Sequence, residues 1–220
     1  MVIICGIDEA GRGPVIGPMV MAACAIEKSE EDGLKKLGVA DSKKLSAKKR
    51  EELFPKVIAL TEYSLEIVSA KAIDAALNDP YMNLNKLEAL HTARLINSLN
   101  KVKKVDLVIV DLPTKDSAAY IEEVKKNLDD KTVDMIAEHK ADDNYPIVSA
   151  ASILAKVTRD KEIEKIQENI DVNIGSGYPS DPYTKEFIKK YHSNHDVFRK
   201  TWQTYKNVVD SKKQKKLGEF

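Results

Sequence analysis

The chain reads as an α/β domain built on a mixed five-stranded sheet flanked by helices, with a basic helical extension at its C-terminus. Three observations predict this. Two strand-length apolar runs, residues 2–8 and 105–110, end on acidic residues, Asp8 and Asp111. A tight loop rich in glycine and proline joins the first run to a second apolar stretch, which favours an antiparallel hairpin. After the third strand, helical and extended patterns alternate, as they do in layered α/β sheets.

Composition narrows the function classes. The 220 residues are 43% hydrophobic and 32% charged, ordinary for a soluble globular protein with a proper core. Thirty-five basic residues balance thirty-five acidic ones, so any grip on nucleic acid must come from local patches rather than from net charge. No apolar run reaches membrane-spanning length and the chain starts on a strand rather than a signal peptide, so a cytoplasmic protein without a membrane partner is expected. Cys5 and Cys24 fall in separate predicted strands without metal-like spacing and read as reduced core residues.

Taken in order, residues 2–8 and 15–27 are the hairpin strands. A polar excursion with Asp41-Ser42-Lys43-Lys44-Leu45 precedes a helix near 46–58, for which Ser46 is a suitable N-cap and Leu53, Val57 and Leu60 form one face. Residues 61–69 alternate like a half-buried strand. Helices near 71–77 and 83–99 follow, the second with Leu84, Leu87, His91, Leu95 and Leu99 at helical spacing. The strand 105–110 leads to a helix near 116–128, a strand near 132–138 and a long helix from about 147 to 169. From Tyr183 to Phe220 there are ten Lys/Arg against four Asp/Glu, so the remainder is helical and basic.

The chemistry concentrates at strand ends. Asp8 and Glu9 are adjacent, so their side chains leave opposite faces of an extended segment, and one of them can reach a metal from the far side or through its carbonyl. Gly11, Arg12 and Gly13 come next, two residues that let backbone approach a ligand and, between them, a planar cation suited to phosphate. Taken alone, an acidic pair is usually surface charge and Gly-x-Gly usually a turn; their conjunction with a buried strand points to phosphodiester chemistry. Open α/β sheets bind ligands beyond the carboxyl ends of their strands, which brings Asp8 and Asp111 into one crevice if their strands are parallel neighbours. Asp142 stands just before the long helix. Asp8, Glu9, Asp111 and Asp142 make a hard oxygen donor set suited to two Mg²⁺ or Mn²⁺ ions, which sit about 3.5–4 Å apart in two-metal sites. On the long helix, Ser149, Ser152, Lys156, Arg159 and Asp160 share a face, either solvated or placing Ser149 and Lys156 near a substrate phosphate.

These residues carry a resemblance. Gly6-Ile7-Asp8-Glu9-Ala10-Gly11-Arg12-Gly13-Pro14, Asp41-Ser42-Lys43-Lys44-Leu45, Val110-Asp111 and Lys140-Ala141-Asp142 resemble the motifs of type 2 ribonuclease H, or ribonuclease HII. So do Val148 through Asp160 and Gly175-Ser176-Gly177-Tyr178-Pro179-Ser180-Asp181-Pro182, the last being most similar to the archaeal and eukaryotic branch. The resemblance implies a ribonuclease H-like fold and an endonuclease that cuts the RNA strand of RNA–DNA hybrids. It also implies incision beside ribonucleotides embedded in duplex DNA, leaving 5′-phosphate and 3′-hydroxyl ends. Asp8, Glu9, Asp111 and Asp142 match the metal-binding carboxylates. Gly11, Arg12 and Gly13 match the loop that senses the ribose 2′-hydroxyl, Tyr178 the tyrosine stacked near the RNA-to-DNA junction, and Lys43 and Lys44 a phosphate-contacting motif. Expected divisions are a catalytic domain over 1–170, a helical extension over 171–213 and a tail over 214–220.

That tail, with Gln214, Leu217 and Phe220, is similar to a sliding-clamp-binding peptide cut short at one aromatic; a solvated lysine-rich tail is the alternative. His192 and His195 read as surface residues rather than a metal pair, His139 as a proton-transfer or hydrogen-bonding residue, and Trp202 with Phe198 and Tyr205 as a packing stripe. A non-catalytic hybrid-binding module would explain the lysines and leave the four acids without a use. A phosphotransferase lacks the Gly-x-x-x-x-Gly-Lys-Ser/Thr pattern it would need. No feature demands a partner subunit, so a monomer is expected.

Overall fold

Continuous apolar sequence marks strands buried on both faces, and the two most apolar runs become adjacent central strands. In the computed structural model, which describes residues 1–39, 45–112 and 116–217 (the last six as backbone alone), they are β1 (Ile3–Ala10) and β4 (Leu107–Asp111). Lys43, Lys44 and Phe220 lie outside the described residues, and Gln214 and Leu217 fall in the backbone-only stretch. With β2 (Met19–Glu27), β3 (Glu62–Val68) and β5 (Asp134–Glu138) they form a five-stranded sheet in the order β3-β2-β1-β4-β5. β1 pairs antiparallel with β2 and parallel with β4, and β4 pairs parallel with β5, so the sheet is mixed as the sequence predicts.

The helices are α1 (Glu31–Leu37), α2 (Ala47–Leu60), α3 (Ala70–Leu77), α4 (Leu84–Asn100), α5 (Ser117–Lys126), α6 (Ala141–Asn144), α7 (Pro146–Glu168), α8 (Pro182–Tyr191) and α9 (Gln203–Leu217). Ser46 caps α2 as expected, its hydroxyl accepting from the Lys49 amide at 3.2 Å. Leu53 and Val57 are buried, but Leu60 at the end of that helix is 44% exposed.

Two differences from expectation lie early in the chain. The second strand starts at Met19 instead of residue 15, because Pro14 and Pro18 lack amide donors and Gly17 takes φ +82°. Ile16 instead makes a lone antiparallel bridge to Phe198. Helix α1 lies within the polar excursion, where charged residues hid its single buried anchor, Leu34.

By internal contacts the chain forms two units. One comprises Met1–Ala10, Val20–Ile67 and Leu84–Thr158. It holds the sheet, and its core packs Ile4, Cys24, Leu53, Val57 and Ile109 with the apolar face of α7 from Ile147 to Val157. Gly6 makes that packing possible: a Cβ there would stand 2.4 Å from the Ile147 carbonyl carbon, so only hydrogen lets strand and helix approach this closely. The other unit comprises Gly11–Met19, Val68–Asn83 and Arg159–Phe220. Its core is Val15, Ile16, Ile174, Phe187, Ile188 and Phe198, with Trp202 and Tyr205 packed against it. The latter three aromatics therefore form the packing stripe read from the sequence.

Candidate active site

Strand register brings the first two acids together. In the parallel β1–β4 ladder Ile7 is the partner of Val110, so Asp8 and Asp111 follow at the same level of neighbouring strands. The third comes from the connection after β5. There Lys140 adopts a left-handed conformation, φ 59°, and the next amide, of Ala141, donates to Asp111 Oδ1 at 3.1 Å. This bond fixes the short helix α6, which carries Asp142, against the end of β4. Carboxylate oxygens of Asp8, Asp111 and Asp142 all lie within 4.8 Å of one another, a group able to hold a metal ion. Glu9 is half-buried and outside that trio; its main-chain amide donates to Asp8 Oδ1 at 2.7 Å.

The start of α7 supports the trio. Every residue from Ile147 to Ala155 is buried; of the polar face, Ser149, Ser152 and Arg159 are packed inside while Lys156 and Asp160 are half-buried. Ser149, expected near a substrate phosphate, is 1% exposed, and its hydroxyl donates to the Asp142 carbonyl. This bond ties the start of α7 to the short helix that carries Asp142. Asp8 is pushed up to about 7, first by burial; a hydrogen bond from Ser152 opposes this, the charge of Asp111 adds to it, and that of Lys156 reduces it. A buried carboxyl crowded by a second acid is poised to accept a cation, and an all-oxygen donor set suits a hard divalent one.

In the second unit the Gly11–Gly13 segment is held from beneath. Gly11 takes φ +79°, and a Cβ on it would meet Arg159 Nε at 2.6 Å. Arg159 is buried, donates to the Ser176 carbonyl at 3.0 Å, and lies 5.2 Å from the Tyr178 ring centroid. Tyr178 itself is 41% exposed. Arg199 is fully buried and donates to the carbonyls of Gly11 (2.6 Å), Arg12 (2.9 Å) and Gly17 (3.0 Å). Burial, and then the charge of Arg159, pulls its pKa down to about 10. The Trp202 ring lies 4.8 Å from the Arg199 guanidinium, and its Nε1 donates to the Gly13 carbonyl at 3.1 Å. Sequence reading missed Arg199; an arginine bracketed by Phe198 and Trp202, both in an apolar stripe, is the one signal that could have found it.

Other candidates resolve simply. His195 stacks on Phe187 with centroids 5.6 Å apart, and His192 meets Tyr205 edge-on, so both belong to the aromatic packing of the second unit. His139 is exposed in the turn after β5.

A mixed sheet whose parallel central strands and following short helix bring three aspartates together fits a metal-dependent nuclease of the ribonuclease H-like fold. Known proteins narrow this further. The sequence profile of the family Ribonuclease HII matches residues 5–205. Ribonuclease HII of Methanococcus maripaludis strain C6 is 44% identical, over 99% of this chain and 92% of its own length. The crystal structure of ribonuclease H2 from Pyrococcus horikoshii OT3 superposes with a TM-score of 0.86 at 40% identity, covering 96% of this chain and 98% of that one. The RNase HII in a PCNA:RNase HII complex from Archaeoglobus fulgidus gives 0.82 at 37%, covering 93% and 96%. The chain belongs to the ribonuclease HII family and is a divalent-metal-dependent ribonuclease H endonuclease.

Proposed function

We propose that the protein hydrolyses the RNA strand of RNA–DNA hybrids and incises duplex DNA at embedded ribonucleotides, leaving 5′-phosphate and 3′-hydroxyl ends. The observation that carries this reading is the convergence of Asp8, Asp111 and Asp142 within 4.8 Å. Asp8, Glu9, Asp111 and Asp142 would hold two divalent ions, Mg²⁺ or Mn²⁺. Such ions supply an ionised water and neutralise charge on the scissile phosphate. The chain's own residues do the rest. Ser149 fixes the Asp142 backbone, and Ser152 and Lys156 steady the Asp8 carboxylate. Gly11, Arg12 and Gly13 read the ribose 2′-hydroxyl, the one group that separates RNA from DNA at a given nucleotide. Tyr178 stacks at the junction, and Lys43 and Lys44 meet phosphates.

The decisive experiment incubates the protein with Mg²⁺ and a DNA duplex holding one ribonucleotide. A nick beside that nucleotide is expected; binding without a nick would favour the non-catalytic hybrid-binding module.

The segment Gln214–Phe220 docks on a DNA sliding clamp, a reading supported by its glutamine–aliphatic–aromatic spacing and by the Archaeoglobus fulgidus complex with PCNA. Removing 214–220 should abolish clamp retention in a pull-down and leave intrinsic cleavage nearly unchanged. Equal retention by the truncated chain would end the idea. Among the described residues no helix is long and apolar enough to cross a membrane. The two free, buried cysteines fit the reducing environment of a cytoplasm.

A further inference from the structure

We propose that Arg199 and Trp202 are positioning residues for ribose recognition, setting the geometry of the Gly11–Gly13 loop from beneath. This rests on the reading of that loop as the sensor of the 2′-hydroxyl.

Glycine carries the largest conformational freedom of any residue, so a loop with glycine at two of three positions does not hold its shape unaided. Recognition of a single hydroxyl needs donors and acceptors placed to within about 0.5 Å. Something outside the loop must therefore fix it. Three successive carbonyls are taken up by two side chains: Gly11 and Arg12 by the Arg199 guanidinium, Gly13 by the Trp202 indole. A fourth bond, from Arg199 Nε to Gly17, ties the far end of the segment to the same guanidinium.

The consequence follows from peptide geometry. Across a trans peptide the C=O of one residue and the N–H of the next point in opposite directions. Drawing the Gly11 and Arg12 carbonyls onto Arg199 turns the amides of Arg12 and Gly13 to the other side as neighbouring donors. Successive amides of this kind form a concavity for an oxygen-bearing ligand. Only arginine does this, because its rigid fork reaches three carbonyls from one buried point, whereas a lysine ammonium offers a single centre. Trp202 serves twice, as the ring beside the guanidinium and as the donor to Gly13.

The test uses the full chain with Arg199→Lys and Trp202→Phe. Each is titrated, with Ca²⁺ as the divalent ion, against labelled duplex DNA with and without one ribonucleotide. The readout is the ratio of the two dissociation constants, with melting temperature recorded alongside. The ratio should shrink about tenfold in Arg199→Lys and about threefold in Trp202→Phe, while affinity for the all-DNA duplex stays constant, because small displacements of a positioning group cost rate and affinity steeply. If Arg199→Lys melts below the assay temperature, Trp202→Phe decides, since its ring remains beside the guanidinium. An unchanged ratio in the folded variants would overturn the proposal, as would an equal loss of affinity for both duplexes. Absence of discrimination by the unaltered chain would instead remove the ribose-reading role of the loop itself.

Discussion

Asp8 and Asp111 stand side by side at the ends of parallel strands, and the charge of Asp111 adds to the burial that lifts the Asp8 carboxyl to about 7. Two acids held this close repel each other until a cation joins them. Asp8→Asn and Asp111→Asn should each lower nicking by about a thousandfold, the loss of several kcal/mol of charge stabilisation. Their far-ultraviolet circular dichroism should match the parent. Near-normal cleavage by either variant, measured on gels under single turnover, would remove it from the metal site.

The same elevation fixes a sign for pH. A carboxyl whose folded-state pKa lies above its unfolded value of about 4 favours the protonated form in the folded chain. Its stabilising contribution is complete below pH 4 and is lost as pH rises through 7, a change on the order of 4 kcal/mol. In EDTA, Asp8→Asn should therefore melt higher than the parent at pH 8, with the gain disappearing near pH 4. Added Mg²⁺ should raise the parent's melting temperature more at pH 8 than at pH 5. A parent that gains stability toward pH 8 in EDTA, with no benefit from Asp8→Asn, would contradict this.

Ser149 acts through Asp142. Removing its hydroxyl leaves the buried Asp142 carbonyl without that donor, at a cost of about 1–3 kcal/mol. Groups that orient metal ligands typically matter about 10–100-fold in activity or metal affinity, and Ser149→Ala should fall in that range. A calorimetric titration with Mn²⁺ separates weaker metal binding from a slower step. Unaltered affinity and rate would reduce Ser149 to packing.

Gly6 tests the closeness of β1 and α7. Gly6→Ala forces a methyl group to within 2.4–2.5 Å of the Ile147 and Val148 backbone, which cannot swing aside like a side chain. A loss of about 3 kcal/mol is expected in urea unfolding. A variant as stable as the parent would mean the strand and helix separate freely.

Tyr178→Ala removes a partly open ring and should leave the fold intact. If the ring stacks on a nucleotide, affinity for the ribonucleotide-containing duplex should drop about tenfold, within the usual 1–3 kcal/mol for base–aromatic stacking. Equal binding by parent and variant would reassign Tyr178 to shielding Arg159.

What the sequence disclosed and what it hid follow from the range of the interactions involved. Asp8 and Asp111 were legible because each ends an apolar run, a local pattern, and parallel pairing then aligned them. Asp142 was placed before a long helix; the short α6 within that loop escaped notice because four residues leave almost no periodicity. The start of β2 is masked in sequence because Val15 and Ile16 are as apolar as a strand, and the residue that Ile16 bridges, Phe198, lies far along the chain. For Ser149 the sequence leaves the surroundings open, because composition cannot tell a polar face that is solvated from one that is hydrogen-bonded inside. Arg199 was invisible for a related reason. Its carbonyl acceptors are 182 to 188 residues away, and a buried arginine looks in sequence like any surface cation.

Cys5 and Cys24 lie one register position apart on the paired strands β1 and β2, both fully enclosed and unbridged, with the Cys24 thiol pushed up to about 12 by burial. Alkylating reagents attack the ionised sulfur, and neither native thiol will present it while the fold is intact. A cysteine introduced at an exposed site such as Val102 would then be the sole point of attachment for a fluorescent dye. The unmodified background comes free of labelling artefacts, without the need to strip sulfur from the sheet.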